Sequence, residues 1–197
     1  YKRQDRSSID IHGIRIGWLG NAEGYWPTTS GLVDQCERAL KGLSRAGFTV
    51  EHSAPPPLLR DLWQCWITLR QHALSSARPI YDNPEHRQLM GPQWQWELKQ
   101  GMGLTAWDIT GAKSIRHDWI ESLQASFTEY DIIAAPACQV YPFNAENGPP
   151  KRIESAAMDT YHRWLEVSLP ASLGSLPVIN LPLAAPSAGQ ASGIQFM

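Results

Sequence analysis

What the sequence withholds narrows the field first. No stretch approaches the roughly 18 uninterrupted apolar residues that a membrane helix needs, and the opening Tyr1-Lys2-Arg3-Gln4-Asp5 starts no signal peptide. Basic runs are missing too. With 17 Lys and Arg against 19 Asp and Glu the formal net charge is -2, so a phosphate-tracking surface of clustered cations is not expected. The three cysteines, Cys36, Cys65 and Cys138, stand far apart, a spacing that suits neither a zinc ribbon nor a disulfide framework. Gly-x-Gly-x-x-Gly and Gly-x-x-x-x-Gly-Lys-Ser/Thr are both absent, which removes the usual nucleotide cradles, and no cofactor is expected. Neither internal repeats nor low-complexity tracts occur. Together these absences predict a soluble cytoplasmic protein in a reducing compartment, with neither nucleic acid nor membrane as a partner.

What is present predicts a folded α/β chain. Hydrophobic residues at 43% outweigh charged ones at 18%, and 197 residues suffice for one ordinary domain or part of one. The nine tryptophans, lacking a basic stripe beside them, are expected to pack the core rather than stack on bases. Ile14 to Leu19 reads as a strand ending in a Gly-Asn turn. Thr29 or Ser30 can cap a helix in which Leu32, Val33, Cys36, Ala39, Leu40 and Leu43 recur at three- and four-residue spacing, closed by Gly47. Phe48 to Glu51 is a second strand, so a parallel β-α-β unit is expected. From Leu58 to about Tyr130 the pattern is helical, broken at Pro79, Pro84 and Gly91-Pro92, and these helices are expected to supply bulk and line a cleft. Tyr130 to Pro136 suits a buried central strand. After a proline-containing loop, Met158 to Leu169 reads as a helix and Leu176 to Pro182 as a strand. The closing Gly193-Ile194-Gln195-Phe196-Met197 reads as a strand without its partner.

Few residues advertise chemistry. Gly42-Leu43-Ser44-Arg45-Ala46 is the nearest approach to a nucleophile elbow, but it falls within or at the end of a helix instead of between strand and helix. His117 with Glu121, and His162 with Glu166, are spaced to share a helix face, yet no His-Glu-x-x-His supplies a third ligand, so surface or packing roles are expected and no metal. Cys138 follows the central strand, where α/β folds place their ligands. Nothing nearby in sequence supplies a base or a lowered pKa, so a small wall residue is expected of it rather than a nucleophile.

Several segments, in a fixed order, resemble the C-terminal half of amidase-signature enzymes. They are Gly13-Ile14-Arg15-Ile16-Gly17-Trp18-Leu19, the Cys36 to Phe48 helix, Phe127-x-x-Tyr130-Asp131-Ile132-Ile133-Ala134-Ala135-Pro136, and Met158-Asp159-Thr160-Tyr161-His162-Arg163-Trp164. The stretch from Pro170 to Pro182 and Gly193-Ile194-Gln195 complete the order. The Tyr-His-Arg-Trp stretch is similar to bacterial amidases rather than to the glutamine-hydrolysing subunits that serve transfer RNA. Gln190-Ala191-Ser192 departs from the Gly-Leu-Pro step usual in the family.

The resemblance implies an α/β fold with a mixed β-sheet flanked by helices, of which residues 1–197 form a C-terminal portion, incomplete at both ends. It also implies cleavage of carboxamides by a Ser-cisSer-Lys triad. In the family that signature lies N-terminal to the region seen here; Ser7-Ser8 and Ser75-Ser76 lack the flanking glycines that aim backbone N–H groups at an oxyanion, so no catalytic residue is expected in this chain. Substrate-binding residues are expected at Cys138, Asp159, Tyr161 and Trp164, the last three on one helix face. The implied partners are a small-molecule amide and the N-terminal half of the same fold. Strand edges left bare would also favour a homo-oligomer. A truncated, non-catalytic relative acting as a binding or scaffold protein is the alternative.

Overall fold

The computed structural model describes residues 10–184 and 189–197; the Ser7-Ser8 pair lies outside them. Strand β1 (Arg15–Trp18), helix α1 (Leu32–Ala46) and strand β2 (Thr49–His52) open the fold, and β1 pairs with β2 in parallel, Ile16 opposite Val50. The expected β-α-β unit is therefore present. Gly47 closes α1 at φ 110°, a left-handed geometry that glycine adopts without a Cβ penalty. The start of α1 differs from expectation: its N-cap is Gly31, without a side-chain cap. Thr29 and Ser30 instead lie ahead of the cap in a segment fixed through its backbone, the Thr29 N–H donating to the Gln139 carbonyl at 2.9 Å and the Ser30 N–H to the Glu154 carboxylate at 2.9 Å.

Strand β3 (Ile132–Pro136) is the centre of a five-stranded sheet in the order β2-β1-β3-β7-β6, where β6 is Ile179–Pro182 and β7 is Gly193–Phe196. It runs parallel to β1 and antiparallel to β7. Covered on both faces, β3 needs apolar side chains in both directions, hence its unbroken run. The final strand is not partnerless, as the sequence suggested. It pairs with β3 on one side and with β6 on the other.

Alternation along the strands divides the core. Ile16, Trp18, Ala134 and Ile194 pack on Leu32, Cys36 and Leu40 of α1. Ile133, Ala135 and Met197 join the opposite layer, built from α2 (Leu62–Leu74), α6 (Ala106–Glu129) and α7 (Leu169–Gly174). Gly17 lets that layer close up, because a Cβ there would lie 2.7 Å from the Tyr130 ring.

The helical stretch breaks where prolines start new helices: α3 (Arg78–Asp82), α4 (Pro84–Gln88) and α5 (Pro92–Met102) each carry proline in the first turn. A Thr105–Asp108 capping box starts α6. The tryptophans do not all enter the core. Trp119 is fully buried, its indole N–H bonding the Pro170 carbonyl at 3.0 Å, but Trp107 is 85% exposed. As for a cleft, α6 lines a groove of about 500 Å³ with Pro55–Pro57 on its other side.

Residues 158–169 do not form the expected helix. Turns lead into a 3-10 helix, Arg163–Ser168, and α-helical geometry begins only at Leu169 with Pro170 in its first turn. The preceding loop also holds a small antiparallel pair, β4 (Arg152–Ile153) with β5 (Ala156–Ala157). Consequently Asp159, Tyr161 and Trp164 share no helix face.

Candidate substrate pocket

Open α/β sheets place their ligand crevices beyond the carboxyl ends of the parallel strands. At that end of β3 the chain leaves the sheet through Ala137, whose N–H bonds the Gly193 carbonyl at 2.9 Å, and Cys138 then turns outward. Here lies a pocket of about 490 Å³, walled by Cys138, Tyr141, Phe143, Trp164 and the Ala191–Gly193 segment. The Phe143 and Trp164 rings meet edge to face, 5.2 Å between centroids and 88° between planes, a favoured aromatic arrangement.

Two buried glutamines join the end of β3 to the 3-10 helix that carries Trp164. Gln195 donates through Nε2 to the Pro136 carbonyl at 2.9 Å and to the Val167 carbonyl at 2.8 Å. Gln139 donates to the Pro27 carbonyl at 3.0 Å and accepts from the Val167 N–H at 3.2 Å. Backbone groups that the sheet and the 3-10 helix leave over are thereby paired. Strand end and 3-10 helix become one unit.

A second anchor sits behind the loop that carries Trp164. Glu97, on α5 and with no exposed surface, takes four hydrogen bonds on its two oxygens. Arg70 reaches them through Nε at 2.6 Å and Nη2 at 3.0 Å, the Tyr161 hydroxyl at 2.9 Å and His162 Nε2 at 2.8 Å. Burial alone would raise the Glu97 pKa, but the donors from Arg70, Tyr161 and His162 outweigh it and hold the carboxyl below its usual range. Burial lowers the His162 pKa, against the pull of Glu97. The geometry supports neutral imidazole: a carboxylate cannot donate, so Nε2 carries the proton, and Nδ1 accepts from the Thr160 hydroxyl at 3.1 Å. Trp66 closes one side, edge-on to the imidazole at 5.0 Å.

Of the four substrate-contacting residues expected from sequence, the structure brings Cys138 and Trp164 together in the pocket, with Cys138 Sγ 3.9 Å from the Trp164 carbonyl. Tyr161 is drawn away into the Glu97 cluster, and Asp159 stands outside beside Arg163 at 3.5 Å, its side chain 57% exposed. Neither His-Glu spacing behaves as a metal face. His117 and Glu121 are an exposed pair at 3.5 Å, whereas His162 turns to Glu97 and Glu166 to Tyr25 and Arg163, at 2.6 and 2.9 Å. Among the described residues no group of three His, Cys, Asp or Glu could hold a metal ion. The other serines considered are ordinary: Ser44 lies within α1, and the hydroxyls of Ser75 and Ser76 bond carbonyls of the preceding turn.

Sequence reasoning missed Glu97, Arg70, Gln139 and the role of His162. A charged residue set between large apolar ones, as in Trp96-Glu97-Leu98, was the available signal for the first. Burial raises the thiol pKa of Cys138, as it does for Cys36, to about 12, and Cys65, to about 11. Cys138 is accordingly a thiol at neutral pH and should alkylate with iodoacetamide more slowly in the native chain than in urea. Equal or faster native labelling, timed by peptide mass spectrometry, would show an activated thiolate instead.

A family model described as Amidase matches residues 2–197. A search of curated proteins finds no match. Among solved structures, an amidase superposes with a TM-score of 0.80 at 20% identity, over 96% of this chain and 42% of that one. A bacterial aryl acylamidase of the amidase signature family gives 0.78 at 18%, over 94% and 40%. A glutamyl-tRNA(Gln) amidotransferase subunit from Thermotoga maritima gives 0.65 at 20%, over 94% and 38%. The chain thus spans about two fifths of the length of the structures it matches. At these identities the likeness concerns the fold.

Proposed function

Because this chain belongs to the amidase family, matched across residues 2–197, we propose that it forms the substrate-facing wall of a cytoplasmic carboxamide hydrolase whose Ser-cisSer-Lys triad lies outside these 197 residues. The observation that carries this reading is the pocket at the carboxyl end of β3, whose described lining holds no activated nucleophile. Coverage of about two fifths of the matched structures and the absence of a Gly/Ser-rich serine pair support it.

In that mechanism the first serine oxygen attacks the amide carbonyl, with lysine as base through the second serine. Backbone N–H groups hold the oxyanion while the C–N bond breaks and the amine or ammonia leaves protonated. Water then attacks the acyl-enzyme ester, releasing the acid and regenerating the serine. This chain's part is positional: Trp164, Phe143 and Cys138 hold the non-reacting group so that the carbonyl meets the nucleophile. Cys138, Asp159, Tyr161 and Trp164 remain the proposed substrate side, with Tyr161 acting through Glu97 and Asp159 through Arg163. The triad-bearing segment is the proposed partner, and the exposed β6 edge, where Ile179 is 58% exposed, is a surface it would cover.

The coding sequence upstream of Tyr1 is the test. A lysine followed by a Gly/Ser-rich stretch with two serines is expected there. A reading frame without them would leave a non-catalytic binding relative and overturn the proposal.

A further inference from the structure

The pocket at the end of β3 has a chemical bias that sets its ligand. None of its described lining residues is Asp, Glu, Lys, Arg or His. A carboxylate or ammonium entering it would lose hydration with no counter-charge to replace it, a cost that outweighs any packing gain. Two rings set at 88° form the perpendicular walls of a corner, against which a third flat ring can pack. The volume, about 490 Å³, is within the range for small-ligand pockets and generous for a single ring.

Trp164 is also held in place before any ligand arrives. Its indole N–H bonds the Tyr161 carbonyl at 2.9 Å, and Tyr161 is itself fixed by its hydroxyl on Glu97 at 2.9 Å. A wall that costs no ordering on binding adds to selectivity.

We infer that this pocket takes the non-reacting part of an amide substrate as an uncharged, flat aromatic ring, and rejects amides that carry a carboxylate or an ammonium group there. This rests on the reading of the pocket as the substrate wall of an amide hydrolase. Benzamide, propionamide and glutamine are suitable probes, with the product of the whole reading frame as the protein.

Two readouts separate the claims. In 19F spectra of protein labelled with 5-fluorotryptophan, the Trp164 resonance, assigned by its loss in Trp164→Phe, should shift on saturation with benzamide and stay in place with glutamine. In ammonia-release assays kcat/KM for benzamide should exceed that for propionamide by about tenfold or more. Trp164→Ala should lower the benzamide value by about 10- to 100-fold, mainly through KM, and by clearly more than it lowers the propionamide value. An unmoved Trp164 resonance, a preference for glutamine or propionamide, or an equal loss on both substrates in Trp164→Ala overturns the inference. Benzamide binding without hydrolysis of any amide leaves the pocket assignment standing and sinks the hydrolase reading; hydrolysis without ring preference does the reverse.

Discussion

Replacing Glu97 with alanine should destabilise the fold by about 3 to 5 kcal/mol, the range for removing one partner of a buried ion pair. For a chain of this size that lowers Tm by roughly 10 °C. The carboxylate has no exposed surface and satisfies Arg70, Tyr161 and His162 together. After the change the Arg70 side chain, 33% exposed, can recover water, which favours the lower end of the range. Tyr161 and His162 have less access to solvent, and each keeps an orphaned donor. Arg70→Met in the Glu97→Ala background should cost less than the sum of the two single changes, because the pair is removed as a unit. Strict additivity in thermal melts would show that the cluster is not coupled.

The same cluster gives stability a pH dependence of defined sign. His162 is held below its ordinary value of 6.5 and Glu97 below its ordinary 4.5, so both bind fewer protons folded than unfolded. Their contribution is complete above about pH 6.5. It falls as acid protonates the unfolded-state histidine first and then, below about 4.5, the unfolded-state carboxylate. Glu166 opposes this, since burial raises its pKa: its contribution is complete below its ordinary 4.5 and is lost as pH rises toward its raised folded value. In a stability-against-pH curve, Glu97→Gln should flatten the part of the acid limb below about pH 4.5, where the carboxylate titrates, and leave the histidine part above it in place. An unchanged limb would place its origin elsewhere.

Gln195→Leu carries the second large effect, a loss of about 2 to 4 kcal/mol despite near-equal volume. Leucine fits the buried site but donates nothing, so the Pro136 and Val167 carbonyls, bonded now at 2.9 and 2.8 Å, are left buried and unpaired at about 1 to 3 kcal/mol each. Hydrogen exchange adds a local signature. Amides of the 3-10 helix Arg163–Ser168 should lose protection before those of α1, because Gln195 ties that helix to the sheet and α1 packs on the other face. Uniform loss of protection, or a cost near zero in denaturant melts, would mean that the glutamine only fills space.

Much of the fold was legible because it follows local rules. The helix pattern from Leu32 to Leu43 closes at Gly47, and the apolar run Ile132 to Pro136 is the central strand. What could not be read locally depends on groups distant in sequence. Tyr161 and His162 show helical spacing with later residues, but their side chains turn to Glu97, 64 and 65 positions away, and the chain cannot follow an α-helix while satisfying that carboxylate. Thr29 and Ser30 look like caps, but Gln139 and Glu154 fix their backbone ahead of the helix, whose N-cap is Gly31. The last strand looked partnerless for the same reason: β3 is distant in sequence, and antiparallel addition to a parallel sheet leaves no local mark. For the pocket, Cys138 and Trp164 were visible as a strand-end residue and an aromatic. Phe143 and the buried glutamines were not, because their roles come from tertiary pairing.

The central claim is that these residues shape a substrate pocket and bring no nucleophile of their own. Ammonia release from benzamide, measured side by side for the product of the whole reading frame and for residues 1–197 alone, tests it most directly. The expected result is turnover by the former and none above buffer by the latter. Turnover by residues 1–197, surviving Cys138→Ser, would contradict the account.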